Sequence, residues 1–155
     1  MRYLIFLILI FVFGGLATFI LAHKNTFPKS EYKKATVAIN GIDFSVDVAD
    51  TPIKIAKGLA GRGTIKPNEG MLFTFRSPSF KTFWMRNMLV PIDIIWVRDN
   101  QVVGVEADVP PQPGALLGQL RRYRSPVPVD YVLEVAAGRA REASIQTGSG
   151  VNIRP

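Results

Sequence analysis

Val37-Ala38-Ile39-Asn40-Gly41-Ile42-Asp43-Phe44-Ser45-Val46-Asp47-Val48 is the stretch that decides the fold. Before Asn40-Gly41, Val37 and Ile39 alternate with small or polar neighbours. After it, Ile42, Phe44, Val46 and Val48 alternate with Asp43, Ser45 and Asp47. A period of two places each set on one face of a strand. Asn and Gly both tolerate the positive φ that a two-residue hairpin turn demands. The stretch therefore predicts an antiparallel hairpin with one buried and one wet face.

Working towards the C-terminus, Thr51 can cap a short helix, Pro52 suits its first position and Gly61 suits the left-handed position at its end. Ile53, Ala56 and Ala60 then share one side. Gly58 inside this helix costs about 1 kcal/mol relative to Ala, unless it permits close packing. After a turn over residues 67–70, strand-like pieces follow at 71–75, 82–86, 92–98 and 101–106, the last two joined at Asp99-Asn100. The prolines at 110, 111 and 113 make residues 109–118 a loop. Residues 131–135 read as a strand, 136–144 as a short Ala-rich helix broken by Gly138, and 151–153 as a terminal strand. Short strands with one or two small helices predict a mainly β (α+β) fold, a compact antiparallel β-roll or open barrel.

Working towards the N-terminus, residues 4–22 form a run of 19 in which Thr18 is the one distinctly polar side chain. As a helix, at about 1.5 Å per residue, the run approaches the roughly 30 Å of bilayer hydrocarbon. A cleaved signal peptide is the competing reading, but its apolar region is usually about 7–15 residues, and Ala22 preceded by Ile20 makes a poor cleavage site. Residues 1–22 are thus read as a transmembrane anchor or uncleaved signal, 23–34 as a flexible linker rich in Lys with Pro28 and Ser30, and 35–155 as one β-rich domain. Orientation stays open from charge alone. Lysines after the run favour a cytoplasmic domain, whereas a short basic start before it resembles an export signal.

Charge and absences narrow the function. The chain carries 19 basic and 12 acidic residues, a net charge of +7. From Ala35 onward 14 basic and 11 acidic residues remain, so the excess lies largely beside the apolar run and argues against a nucleic-acid partner. No cysteine is present, which excludes disulfides, thiolate nucleophiles and zinc fingers. The one histidine, His23, lies outside the domain, which excludes a Ser-His-Asp triad there. No Asp-rich loop of metal-ligand spacing is visible, so neither metal nor cofactor is expected.

Five pieces occur in order: Ala49-Asp50-Thr51-Pro52, Lys57-Gly58-Leu59-Ala60-Gly61-Arg62, Glu69-Gly70-Met71-Leu72-Phe73, Phe83-Trp84-Met85-Arg86-Asn87 and Pro91-Ile92-Asp93-Ile94. With Tyr131-Val132-Leu133-Glu134-Val135 and Gly138, they resemble the DUF192 (UPF0127) family over residues 39–153. The resemblance implies a small β-rich domain, often behind a signal or anchor and without an established biochemical role, and it favours an extracytoplasmic position. The chain departs from that pattern at Ala60, where methionine is common, at the cysteine-free Pro110-Pro111-Gln112-Pro113 loop, and at Ser149, where aspartate is frequent. The absent cysteine implies that a thiol is not essential here.

Candidate site residues come from polar side chains in apolar surroundings. Alternation through Phe83-Trp84-Met85-Arg86 puts Trp84 and Arg86 together, an indole–guanidinium platform suited to sugars, peptides or carboxylates. The plainer alternative is that Trp84 covers a sheet face with Arg86 snorkelling over it. Asp93 between Ile92 and Ile94, and Glu134 between Leu133 and Val135, each demand a partner, for which Arg62, Arg86 and Asn87 are candidates. These six, Arg62, Trp84, Arg86, Asn87, Asp93 and Glu134, form either an ion-pair network or a binding cleft. The leading expectation is a non-catalytic, membrane-tethered binding or envelope-associated domain, with an anionic or carbohydrate envelope ligand. Alternatives are a hydrolase using Asp93 and Glu134 as an acid–base pair on an envelope carbohydrate, or an accessory protein docking a membrane partner through Arg121-Arg122-Tyr123-Arg124.

Overall fold

The Asn40-Gly41 turn takes positive φ at both residues, 51° and 80°. It joins β1 (Lys33–Ile39) to β2 (Ile42–Ala49), antiparallel and in register with Ile39 opposite Ile42. The structure, a computed structural model, describes residues 32–155. The apolar run and the linker as far as Glu31 lie outside the described residues. Strand β1 begins at Lys33, two residues ahead of the boundary expected for the domain. Among the described residues, no helix is long and apolar enough to cross a membrane.

Helix α1 (Pro52–Lys57) follows β2, then come β3 (Glu69–Ser79), β4 (Thr82–Phe83), β5 (Ile92–Arg98) and β6 (Gln101–Val109). A 3-10 turn (Leu117–Gln119), β7 (Tyr123–Arg124), β8 (Val129–Ala136), α2 (Arg139–Glu142) and β9 (Val151–Arg154) complete the order. Seven strands form one sheet in the order β6-β5-β8-β3-β2-β1-β9, and β4 pairs with β7 in a separate two-stranded sheet. All pairings are antiparallel except β2 with β3, which α1 connects as a crossover. The two edges of the large sheet meet at one end. Val102 donates its N–H to the Ser149 carbonyl at 2.9 Å, and Val151 donates to the Asn100 carbonyl at 2.8 Å. The sheet therefore curls into a part-closed barrel.

Both faces of the central strands are buried. Val37, Phe44, Val46, Leu72, Ile95 and Leu133 fill the inside of the curl, and Ala140 and Ala143 of the α2 region pack onto the same core. Met71, Phe73, Ile92, Ile94, Trp96 and Val132 build a second core on the outer face, with Leu59, Met85, Met88 and Tyr123. This explains why β5, β8 and the first half of β3 read as nearly continuous apolar runs rather than as alternation. Val37, Phe44, Ile95 and Leu133 are each fully buried.

Three local expectations need correction. Helix α1 stops at Gly58, whose backbone turns to positive φ (50°), not at Gly61; a side chain at Gly58 would also meet the Phe73 ring at 3.3 Å. Its inward residue is Ile55, followed by fully buried Leu59, whereas Ile53 is 82% exposed. Docking of Leu59 in the outer core sets the rotation of so short a helix, overriding the expected Ile53/Ala56/Ala60 face. The strand expected over 82–86 ends at Phe83, although the sidedness persists: Met85 is buried while Trp84 and Arg86 are exposed. Gly138, in left-handed backbone at φ 84°, precedes α2 rather than breaking it.

Candidate functional site

Helix α1 and the turn after it lie over the outer face of the sheet and leave a cleft of about 680 Å³ beside them. Ile55, Leu59, Phe73, Phe75, Phe83 and Met88 give it apolar walls. Phe73 and Phe83 meet edge to face at 4.8 Å between centroids, and Phe83 meets Trp96 in the same way at 5.6 Å. These contacts hold the aromatic walls in place. Asn87 fixes the opposite side: in left-handed backbone at φ 56°, it accepts the Gly61 N–H at 2.9 Å. Asn tolerates that conformation better than most residues. Lys57, Lys81 and Arg86 supply cations around the opening.

Glu134 lies at the base of this cleft. It projects from β8 to the outer face beside Ile94, its cross-strand partner, and is 6% exposed. A Cβ added to Gly58 would stand 3.9 Å from its Oε2, so the end of α1 lies close against this carboxyl. Among the described residues, no hydrogen bond or ion pair reaches the Glu134 side chain. Burial pushes its carboxyl up to about 8, opposed only in part by the charge of Arg62. At neutral pH it is a neutral acid, able to donate one hydrogen bond and accept others.

Of the six residues singled out from sequence, Trp84, Arg86, Asn87 and Glu134 border this cleft. Arg62 does not line it. Its Nη2 donates to Asp47 Oδ2 at 2.5 Å, while Lys34 Nζ lies 2.6 Å from Oδ1 of the same carboxylate. Burial pushes the Asp47 carboxyl up, but hydrogen bonds from Lys34 and Arg62 outweigh this and hold it below its ordinary value. The Trp84–Arg86 platform is also corrected: the guanidinium over Trp84, at 5.3 Å, belongs to Arg122.

Asp93 lies outside the cleft, on the other face of the sheet. It sits opposite Val135 in the pairing of β5 with β8, one residue out of step with the Ile94–Glu134 pair. It is fully buried, and its partners are backbone amides rather than Arg62, Arg86 or Asn87. Oδ1 accepts from Asp108 N at 2.8 Å and Gly138 N at 3.2 Å, and Oδ2 accepts from Ala140 N at 2.7 Å. Asp93 thus caps the start of α2 from a neighbouring strand. Because the two carboxylates face opposite ways, Asp93 and Glu134 do not flank a common bond, and the acid–base pairing has no geometric basis. Among the described residues, no cluster of three or more His, Asp or Glu side chains could hold a metal ion.

A family model for DUF192, an uncharacterized ACR family (COG1430), matches residues 35–153. The chain belongs to the DUF192 family. One similar solved structure, a protein of unknown function from Novosphingobium aromaticivorans DSM 12444, is 32% identical with a TM-score of 0.70, covering 81% of this chain and 89% of that one. A second, from Sinorhizobium meliloti 1021 and described as a candidate transcription regulator, is 26% identical with a TM-score of 0.71, covering 80% and 96%. No curated protein matches the chain significantly. Sequence reasoning missed Phe73, Phe75 and Lys81 as cleft residues. A usable signal existed in Met71-Leu72-Phe73, where unbroken apolar residues mark a strand covered on both faces.

Proposed function

We propose that this DUF192 domain is a non-catalytic binding domain whose cleft takes a small, largely apolar molecule with an anionic end. The carrying observation is Glu134, a buried carboxyl without a protein partner at the base of an apolar cleft. A carboxyl held almost out of water at a cleft wall, with no protein partner, is open to contact from a bound molecule. A ligand whose apolar body covers the neutral carboxyl would complete its exclusion from water. Its body would contact Phe73, Phe75 and Phe83, and its anion would meet Lys57, Lys81 or Arg86. Glu134 is the one carboxylate among the lining residues, with no histidine or cysteine beside it, which favours binding over hydrolysis.

Naphthalene-2-sulfonate has the required shape and charge. Calorimetric titration of the full chain in neutral detergent should give saturable, one-to-one binding. Ala60→Met, which lengthens a side chain lining the cleft, should weaken it at least tenfold in the same micelles. Equal heats from parent and variant would overturn the reading.

The domain is further proposed to hang from residues 4–22 and to face outward. The support is the length of that apolar run, its poor cleavage site and the habit of the family it resembles, set against the lysines that follow the run. Protease added to intact cells should digest the domain. Complete protection until lysis would mean a cytoplasmic domain, and a mature chain beginning near His23 a cleaved signal.

A further inference from the structure

The described domain segregates its charge. Residues 70–92 and 109–129 carry six basic side chains, Arg76, Lys81, Arg86, Arg121, Arg122 and Arg124, and no acidic one. The remaining described residues carry ten basic and eleven acidic side chains. Ion pairing divides the same way. Outside the two segments every described Lys and Arg except Lys57 has a carboxylate within salt-bridge distance. Among the described residues, none of the six cations inside the segments has one.

The fold brings the segments together. Strand β4 pairs with β7, placing Thr82 opposite Arg124 and Phe83 opposite Tyr123. Four of the six rest on rings instead: Arg121 over Tyr123 at 4.9 Å, Arg122 over Trp84 at 5.3 Å, Arg124 over Phe80 at 4.5 Å and Lys81 over Phe75 at 3.9 Å. Exposed large apolar side chains concentrate here too. Of seven in the described domain, six fall in these segments: Phe80, Trp84, Leu89, Leu116, Leu117 and Val127.

We infer that this basic, aromatic face docks on a bilayer surface rich in anionic phospholipid. Arginines without carboxylate partners suit lipid phosphates, and Trp, Phe and Leu suit the boundary between headgroups and acyl chains. A soluble polyanion would use the arginines but gain nothing from Leu116 and Leu117, which are 70% and 54% exposed. A lipid surface uses both. Lys81, Trp84 and Arg86 also border the cleft, so docking brings its opening to the lipid interface. The inference stands whatever the cleft binds.

The two tryptophans make the test direct, because Trp84 is 40% exposed and Trp96 only 1%. The full chain is reconstituted in vesicles whose lipids carry bromine on the upper acyl carbons, with Trp84→Phe giving the Trp96 background. Trp84 emission should be quenched at least twofold in vesicles containing phosphatidylglycerol, and not in pure phosphatidylcholine. Either Arg121→Glu/Arg122→Glu/Arg124→Glu or Leu116→Ser/Leu117→Ser should reduce the quenching. Unquenched Trp84 in anionic vesicles, with naphthalene-2-sulfonate binding intact, would overturn docking and leave the cleft reading standing. Retention of the protein by duplex DNA or heparin, insensitive to the two leucine substitutions, with Trp84 unquenched in anionic vesicles, would replace the lipid surface with a polyanion.

Discussion

Asp93 and Glu134 are buried carboxyls on adjacent strands, and their surroundings treat them in opposite ways. Asp93 receives three backbone N–H groups, from Asp108 near the end of β6 and from Gly138 and Ala140 at the start of α2. Asp93→Ala would strand those amides, each worth about 1–3 kcal/mol when left unsatisfied, so a loss of about 3 kcal/mol or more in urea unfolding is expected. Asp93→Asn keeps an acceptor for one side of the cap and should cost less. An unchanged midpoint for Asp93→Ala would show that the cap is not structural. Glu134 receives nothing, and its carboxyl is raised from 4.5 to about 8. The folded state thus holds a proton that the unfolded chain releases above about pH 4.5. Its stability contribution is complete below that value and is lost as pH rises towards 8. Glu134→Gln should remove this decline, narrowing the difference in urea midpoint between pH 5 and pH 9. A parent and variant with parallel pH profiles would contradict the assigned shift.

At the scale of elements, the hairpin and the full extent of β5 were legible because their signals are local. Asn40-Gly41 sets its own turn, and residues 92–98 are apolar enough to require a strand wherever they pack. The face of α1 was not legible, because six residues carry too little periodicity to compete with the docking of Leu59. Nor was the shortness of β4, which is limited by its two-residue partner β7. Close approach of strands was equally hidden in sequence. Gly70 of β3 has no room for a side chain: a Cβ would lie 2.3 Å from the backbone oxygen of Glu134. Gly70→Ala should force β3 and β8 apart at the cleft base, lowering the thermal midpoint strongly and weakening naphthalene-2-sulfonate binding. A variant with parental stability and affinity would mean the strands separate there without cost.

Across the whole molecule, a curled sheet with two cores needs more apolar sequence than a one-faced roll, and that is what the runs in β3, β5 and β8 provide. The β-rich class could be read from those runs. The cleft could not, since it depends on α1, β3, β4 and β8 meeting over long sequence separations. Of six polar residues grouped by local environment, Trp84, Arg86, Asn87 and Glu134 line one opening, whereas Asp93 lies on the opposite face. Glu134 stands as a neutral acid at the base of the apolar cleft. The chain has five glutamates, so carboxyl 13C labelling of glutamate gives a spectrum in which each can be followed through a pH titration. One resonance, absent in Glu134→Gln, should titrate near 8 and move to higher pH when naphthalene-2-sulfonate excludes water and adds negative charge nearby. Five resonances titrating near the ordinary carboxyl value, none of them sensitive to the probe, would contradict it.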